Sequence, residues 1–272
     1  MRFWIASVLA SACVVQHVAS TDFFRDLTSN PVRAAAEMFD AGSLYLARSS
    51  RIRRDRLASV ELAKDFPQSH PLRRLMPSIG YLYTEFTATD GKLSAFTCTA
   101  SLIRPGYVMT NHHCLIDGSA KLQRAEVWLG YTGDAPINII AADNAVAARD
   151  AGLDVAILRI APSAERPSFA ATVMREPQPG ERLFILHHGA GRPLQVTRSF
   201  CTASAEPAPI ANSFAHTCPT TKGSSGALVF AESDGAIVGL HKSHNLRTDT
   251  VMGYATRITA ITSITKQLIA AR

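Results

Sequence analysis

Three short segments of the chain carry the side chains that nucleophilic catalysis requires. They read Thr110-Asn-His-His-Cys114, Leu153-Asp-Val-Ala-Ile-Leu158 and Gly223-Ser-Ser-Gly226. A serine hydroxyl is a poor nucleophile near neutral pH until an imidazole takes its proton, and the imidazole needs a carboxylate to fix its tautomer. The chain supplies histidine, aspartate and serine in that order. The three segments therefore predict covalent catalysis at a serine.

Asp154 lies in an otherwise apolar run, which predicts a strand over Leu153–Ile160. Burying an ionised carboxylate is costly unless another group pairs with it, and a catalytic histidine is such a partner. The alternative is an aspartate on an edge strand that faces water. Asp143 and Asp150 lie outside the apolar run and are less well placed.

The composition places the chain among globular proteins. It has 272 residues, 47% of them hydrophobic and 18% charged, with a net charge of +6. This length suits one large domain or two small ones. Because no run of lysine and arginine lies among the three motifs, nucleic-acid binding has little support.

Residues 1–20 read as a secretory signal. Arg2 gives a short positive region, residues 3–15 are apolar, and Val18-Ala-Ser20 offers small residues for cleavage. The apolar stretch is shorter than the ~20 residues of a membrane span, which argues against an anchor. Cys13 only weakly suggests a lipoprotein site. We therefore expect an extracellular or periplasmic protein without stable membrane association.

An oxidising compartment favours disulfides over metal ligation for the remaining cysteines. Four cysteines follow the signal, and sequence alone allows three pairings. Two flank the histidine motif and two precede the serine motif, so local pairing staples one loop region in each half. The four are Cys98, Cys114, Cys201 and Cys218.

Residues 21–76 differ from the rest of the chain. Asn30 and Pro31 begin a predicted helix over residues 32–41, and Gly42 ends it. A stretch with arginine at 48, 51, 53, 54 and 56 follows. Such a run is either a solvated face or an exposed processing site. We interpret residues 21–76 as a propeptide or N-terminal extension that ends between Arg51 and Arg74.

From Ile79 onward the pattern indicates short strands separated by turns, an all-β architecture. Turns are predicted at residues 89–92 and 104–106, and proline-bearing residues 162–179 read as a linker between two halves. Isoleucine and leucine at helical spacing over residues 256–271 predict a terminal helix that docks on the body. The predicted strands are 79–86, 96–103, 107–110, 125–129, 153–160, 182–186, 194–202, 227–230, 236–241 and 251–255.

Four segments in order give the chain a specific resemblance. Cys98-Thr-Ala-Ser-Leu-Ile103, the histidine and aspartate motifs, and Thr220-Thr-Lys-Gly-Ser-Ser-Gly226 resemble the signature segments of chymotrypsin-like serine peptidases, and among them the bacterial-type glutamyl endopeptidases. The resemblance covers residues 79–262. It implies two antiparallel six-stranded β-barrels, an N-terminal one at 77–165 and a C-terminal one with the terminal helix at 166–272.

The resemblance also implies roles for individual residues. In the family the catalytic histidine directly precedes a half-cystine, which selects His113 over His112, and Asp154 orients it. The pattern Gly-x-Ser-Gly selects Ser225 over Ser224 as nucleophile, with the backbone amides of Gly223 and Ser225 as oxyanion hole. The chain departs from the family in continuing Gly226-Ala-Leu-Val rather than with a small residue and proline. That departure lies downstream of the hydroxyl and the hole.

Specificity is inferred from the same resemblance. Pro219 stands where an enzyme that cleaves after arginine or lysine carries aspartate. Thr220 and His241 match the threonine and histidine with which glutamyl endopeptidases bind a substrate carboxylate. The histidines at 112, 187, 188 and 216 are interpreted as structural, and Lys242 and His244 either add positive potential or face water.

The sequence thus predicts a monomeric secreted serine endopeptidase that acts on polypeptides after glutamate, with no cofactor and no metal. Two alternatives stay open. One is a peptidase that prefers a small apolar residue before the cleaved bond. The other is a protease-like protein that binds or signals without hydrolysis, although an inactive relative is expected to lose at least one triad member.

Overall fold

Two β-sheets form the body of the molecule in the computed structural model, which describes residues 55–133, 138–161, 173–244, 252–262 and 264. Side chains 143–145 are outside that description. The predicted signal, the helix at 32–41, most of the basic stretch and much of the linker lie outside the described residues. The described strands are β1 Glu61–Leu62, β2 Ile79–Thr87, β3 Leu93–Arg104, β4 Tyr107–Thr110, β5 Lys121–Leu129, β6 Asn138–Asp150, β7 Val155–Ile160, β8 Leu183–His187, β9 Gln195–Thr197, β10 Ala203–Pro207, β11 Ser213–His216, β12 Leu228–Ala231, β13 Ile237–His244 and β14 Gly253–Arg257.

The first sheet closes into a six-stranded barrel in the order β2-β3-β4-β7-β6-β5. The second has eight strands in the order β1-β9-β8-β12-β13-β14-β11-β10. All strand pairings in both sheets are antiparallel. The predicted all-β, chymotrypsin-like fold with two barrel-like sheets and a short C-terminal helix is confirmed.

The alternation of side chains along the strands creates separate cores. Along β7, Ala156 and Leu158 pack inside the first barrel, whereas Val155 and Ile157 point the other way. The outward-facing set joins Phe184, Leu228 and other side chains of the second sheet in a core shared by both sheets. Because both faces of β7 are buried from Val155 to Leu158, these four residues are all apolar, whereas Arg159 is exposed. Helical residues 258–262 dock Ile258 and Ile261 on the shared core.

The end of the predicted N-terminal extension belongs to the second sheet. β1 pairs with β9, and the N–H of Ala63 donates to the carbonyl of Leu194 at 2.8 Å. Both guanidinium nitrogens Nε and Nη2 of Arg198 contact the carboxylate of Glu61, at 2.7 and 3.0 Å. Ala63 and Phe66 are buried in the shared core. Residues 61–66 are therefore packed as part of the folded body.

Several predicted elements have different bounds in the structure. β6 was not predicted, because alanine, aspartate and asparagine make up most of its sequence and its few β-branched residues do not alternate with polar ones. The strand expected at 194–202 ends at Thr197, and Phe200 has a left-handed φ of 55°. β10 and β11 were also missed. The turn at 89–92 is present as the β2–β3 hairpin, in which Ala88 N–H donates to the Lys92 carbonyl.

The burial of Phe66 gives a stability test for the N-terminal segment. Phe66 is 7% exposed, and truncation to alanine removes a large apolar side chain from the shared core. We expect Phe66→Ala to lower the free energy of unfolding by about 3–5 kcal/mol. Phe200→Ala is the matched control, because Phe200 is 60% exposed and its loss should cost less than about 1 kcal/mol. Denaturant titration of both variants measures the difference, and equal values would contradict an integral segment.

Candidate active site

The ends of two paired strands bring His113 and Asp154 together. β4 ends at Thr110, β7 begins at Val155, and Thr110 lies opposite Ala156 in the antiparallel pair. A single turn of 3₁₀ helix over His112–Leu115 follows Asn111. Residues that leave neighbouring strand ends stay close in space, so the sheet register itself places the imidazole beside the carboxylate.

The carboxylate of Asp154 holds His113 at two points. His113 Nδ1 lies 2.7 Å from Oδ2, and the backbone N–H of His113 donates to Oδ1 at 2.9 Å. The side chain of Asn111 donates to the Asp154 carbonyl at 2.8 Å, which fixes the backbone of the aspartate as well. A neutral His113 with its proton on Nδ1 leaves Nε2 as the basic atom.

The sequence predicted that Asp154 lies within a strand. In the structure it lies in the turn that precedes β7. Its φ is +54°, a left-handed conformation that few residues other than glycine adopt. This backbone turn aims the carboxylate at His113 rather than along the pleat of β7. The Nδ1 of the adjacent His112 has no hydrogen-bond partner among the described residues.

Two disulfides anchor the segments that carry the candidate residues. Cys98 of β3 is bonded to Cys114, directly after His113, and Cys201 is bonded to Cys218. Cys218 lies at the start of residues 217–227, which connect β11 to β12 and which we call the serine loop. Each half of the molecule thus has one covalent link next to its candidate residues.

The serine loop packs directly against Thr99 of β3 and Thr110 at the end of β4. Gly223 and Gly226 have φ of 91° and 85°, a region that glycine adopts without strain. A Cβ on Gly226 would lie 2.2 Å from the Thr99 carbonyl oxygen and 2.4 Å from Thr110 Oγ1. The glycine that follows Ser225 is therefore required by both its conformation and the close approach of the first barrel.

Thr99 joins the serine loop to both halves of the molecule. Its N–H donates to the Ser225 carbonyl at 2.8 Å, and its hydroxyl donates to the Gly223 carbonyl at 2.9 Å. The same hydroxyl accepts from the N–H of His188 at 3.0 Å. Thr99 is fully buried, so these contacts are shielded from water. They fix the backbone on either side of Ser224.

The peptide between Lys222 and Gly223 is oriented by the turn at residues 188–191. The N–H of Ala190 donates to the Lys222 carbonyl at 2.6 Å, and Ala190 has a left-handed φ of 58°. In a trans peptide the C=O and N–H point in opposite directions. The N–H of Gly223 therefore points away from this turn. Ser225 itself is 3% exposed, and its Oγ lies 3.4 Å from the Lys242 carbonyl.

His241 and Thr220 present buried polar atoms that lack partners. His241 Nε2 and Thr220 Oγ1 have no hydrogen-bond partner among the described residues, and both side chains are fully buried. An unsatisfied buried polar group costs about 1–3 kcal/mol, so such atoms usually await a ligand or water. Here they lie five residues before Ser225 and on β13, the strand whose Lys242 contacts Ser225.

His216 fixes the tautomer of His241. The N–H of Cys218 donates to His216 Nδ1 at 3.2 Å, so the proton of neutral His216 is on Nε2. That atom lies 3.0 Å from His241 Nδ1, which must accept. The proton of His241 is then on Nε2, the unpartnered atom. Burial lowers the pKa of His216 to about 3 and also lowers the pKa of His241, so the pair is neutral and offers one N–H donor.

Sequence reasoning missed three residues that organise this site. Thr99 and Asn111 were seen only as parts of motifs, and His216 was interpreted as structural without a link to His241. Their partners are distant in sequence or belong to the backbone, and neither leaves a pattern in the chain. Spacing from Cys218 was the only available signal for His216.

One group of potential metal ligands lies next to His113. Cys98, His113 and Cys114 place potential metal ligands within 4.8 Å of one another, but the two cysteines form a disulfide and offer no thiolates. In the part of the chain that the structure describes, no helix has the length and apolar character of a membrane span.

Comparison with known families decides the relationship of the chain. A family model described as a trypsin-like peptidase domain matches residues 98–240, more than half of the chain. The chain belongs to the trypsin-like peptidase family. The match spans the segments of His113, Asp154 and Ser225. A search of curated proteins found no significant match.

Solved structures of trypsin-like proteases share the fold. The active form of the Rv3671c protease from M. tuberculosis has a TM-score of 0.53 at 19% identity, over 71% of this chain and 81% of that chain. The serine endoprotease from Yersinia pestis has a TM-score of 0.56 at 18% identity, over 76% of this chain and 69% of that chain. These likenesses show the shared fold, and the family model places a trypsin-like peptidase domain at residues 98–240.

The contact of Asp154 with His113 separates the two adjacent histidines functionally. We expect His113→Ala to lower kcat by roughly 10⁴–10⁶, because no base then takes the serine proton. His112→Ala is the matched control and should retain most of the activity. Steady-state hydrolysis of a peptide substrate measures both. A crippling loss in His112→Ala with a mild one in His113→Ala would reverse the assignment.

Proposed function

We propose that the protein is a secreted serine endopeptidase that cleaves after glutamate through an acyl-enzyme at Ser225. The observation that carries the proposal is the two-point contact of Asp154 with His113. It leaves His113 Nε2 as a base on the side of the first barrel against which the serine loop packs. Membership of the trypsin-like peptidase family supports the same reaction class.

In the proposed reaction, Ser225 Oγ attacks the carbonyl carbon of the scissile bond while His113 Nε2 takes the hydroxyl proton. Asp154 stabilises the resulting imidazolium. The tetrahedral oxyanion is bound by the N–H groups of Gly223 and Ser225. His113 then gives its proton to the leaving amine and the C–N bond breaks.

Deacylation repeats these steps with water as nucleophile. His113 removes a proton from water, the hydroxide attacks the acyl carbon, and the proton returns to Ser225 Oγ as the acid product leaves. The Ala190–Lys222 hydrogen bond supports this role of the hole, because it fixes the peptide that carries the Gly223 N–H before substrate arrives. A preorganised donor needs no reorganisation during the reaction.

Preference for glutamate is supported by the unpartnered atoms of His241 and Thr220. A carboxylate accepts hydrogen bonds from both an imidazole N–H and a hydroxyl, the two kinds of donor that His241 and Thr220 leave without a partner among the described residues. His216 reinforces the preference, because it directs the donor of His241 to the unpartnered side.

Secretion is supported by the signal-like residues 1–20 and by two disulfides, which persist in oxidising compartments. We also propose that an N-terminal segment is removed by proteolysis, and the structure narrows the range of residues in which the cleavage site is expected. Since β1 pairs with β9 and Phe66 is buried, a cut after Arg73 or Arg74 would detach packed structure. We propose that processing takes place upstream of Glu61, where the basic stretch ends at Arg56.

A fluorophosphonate probe tests the reaction class, because it forms a covalent adduct only with an activated serine. We expect the secreted chain to be labelled stoichiometrically and Ser225→Ala to lose the label. Labelling that persists in Ser225→Ala would reject the assigned nucleophile. A folded wild-type chain without any label would support the non-hydrolytic alternative.

Paired glutamate and glutamine substrates test the pocket, since they differ in charge at nearly constant shape. We expect His241→Ala to lower kcat/KM on the glutamate substrate by roughly 10- to 100-fold, because a buried anion loses its donor. The loss on glutamine should be smaller. Profiling a peptide library with the wild type provides the reference. Equal losses on both substrates, or a small apolar preference in the library, would contradict the carboxylate role.

A further inference from the structure

A hydrogen bond between Ser224 and His187 supports the serine loop and involves none of the proposed catalytic residues. Ser224 Oγ lies 2.8 Å from His187 Nδ1, and His187 Nε2 lies 2.9 Å from Thr197 Oγ1. The Thr197 hydroxyl donates to the Pro219 carbonyl at 3.0 Å. All three side chains are buried. We call this set the Ser224–His187–Thr197 network.

The number of protons on each group determines the direction of every hydrogen bond in this network. Thr197 has one hydroxyl proton, which goes to Pro219, so its oxygen accepts from His187 Nε2–H. Neutral His187 then has a bare Nδ1, which accepts the hydroxyl proton of Ser224. The oxygen of Ser224 in turn accepts from the N–H of Thr221 at 3.1 Å. Only one tautomer of His187 satisfies all of these groups.

The protonation state of His187 agrees with this arrangement. Burial, with a smaller contribution from His188, lowers the pKa of His187 to about 3. The ring is therefore neutral near pH 7. A protonated ring would present an N–H to Ser224 and would force its hydroxyl to turn away.

The Ser224–His187–Thr197 network connects strands β8 and β9 to three points of the serine loop. His187 ends β8 and Thr197 ends β9, and these strands are paired with Ile185 opposite Thr197. On the loop, the contacts reach Pro219, the Thr221 amide and Ser224, the residue before the nucleophile. A misplacement of about 1 Å by a distant mutation can cost about 10²-fold in rate. A loop that carries both a nucleophile and an oxyanion donor needs such support.

We propose that His187 is a positioning residue that holds the serine loop in its reactive conformation through Ser224 and Thr197. It is not a second base, because burial lowers the pKa of its ring to about 3 and its Nε2 donates to a threonine hydroxyl rather than to a carboxylate. This inference rests on the proposed role of Ser225 as nucleophile. His187 acts on the reaction only by fixing the backbone on which Ser225 stands.

The test removes either hydroxyl without changing the shape of the core, in Ser224→Ala, Thr197→Val and the double variant. We expect each single variant to lower kcat per active site, counted by fluorophosphonate titration, by roughly 10- to 100-fold, with KM nearly unchanged. The double variant should fall little further, because both hydroxyls belong to one hydrogen-bonded network centred on His187. Ser213→Ala is the matched control, since the Ser213 hydroxyl is also buried but bonds Ala211, away from the loop.

Amide hydrogen exchange of residues 217–227 gives a readout that does not depend on hydrolysis. We expect faster exchange there in Ser224→Ala and Thr197→Val, and none of this in Ser213→Ala. Unchanged loop exchange, or an unchanged kcat per titrated site, would overturn the role of His187. A wild type that the probe does not label would instead contradict the proposed function, and loop exchange would still decide whether His187 holds the loop.

Discussion

The structure depends on the contact of one buried threonine with the serine loop. Thr99, in the first barrel, donates two hydrogen bonds to the loop and accepts one from His188 of the second sheet. Gly226 approaches the same strand so closely that any side chain would collide with it. Thr99 follows Cys98, and Cys98 is bonded to Cys114. The strand that holds the serine loop therefore also fixes the segment of His113. The two halves of the site are therefore built on a common support.

Neutral, buried histidines are the second feature that orients the polar groups of the candidate site. His187 and His216 each accept from one neighbour and donate to another, and burial lowers the pKa of both to about 3. A hydrogen bond to one nitrogen of such an imidazole fixes its tautomer, and thereby decides whether the other nitrogen donates or accepts. His187 transmits the position of β9 to Ser224, and His216 transmits the position of Cys218 to His241. His113 differs because its ring is partly exposed and faces a carboxylate.

Short strands with strong local patterns could be predicted well from the sequence. β4 was predicted with its observed bounds, and the hairpin between β2 and β3 was marked by Asp90-Gly91. β6 could not be predicted, because its alanine-rich segment is held as a strand only by β5 and β7 on either side. Likewise β1 is too short to have a pattern of its own. It is a strand because the edge of β9 offers unpaired backbone groups.

The sequence by itself determined the class of chemistry, the fold class and which residues are candidates for the triad. Those conclusions rest on residue types, on local spacing and on the resemblance of four ordered segments to chymotrypsin-like peptidases. Only the tertiary structure decided that Asp154 leaves the strand to hold His113, that the segment at 61–66 belongs to the folded body, and that His187 and His216 support the site. These features join residues far apart in the chain through directional hydrogen bonds. Such bonds depend on the relative position of strands, which no local pattern encodes.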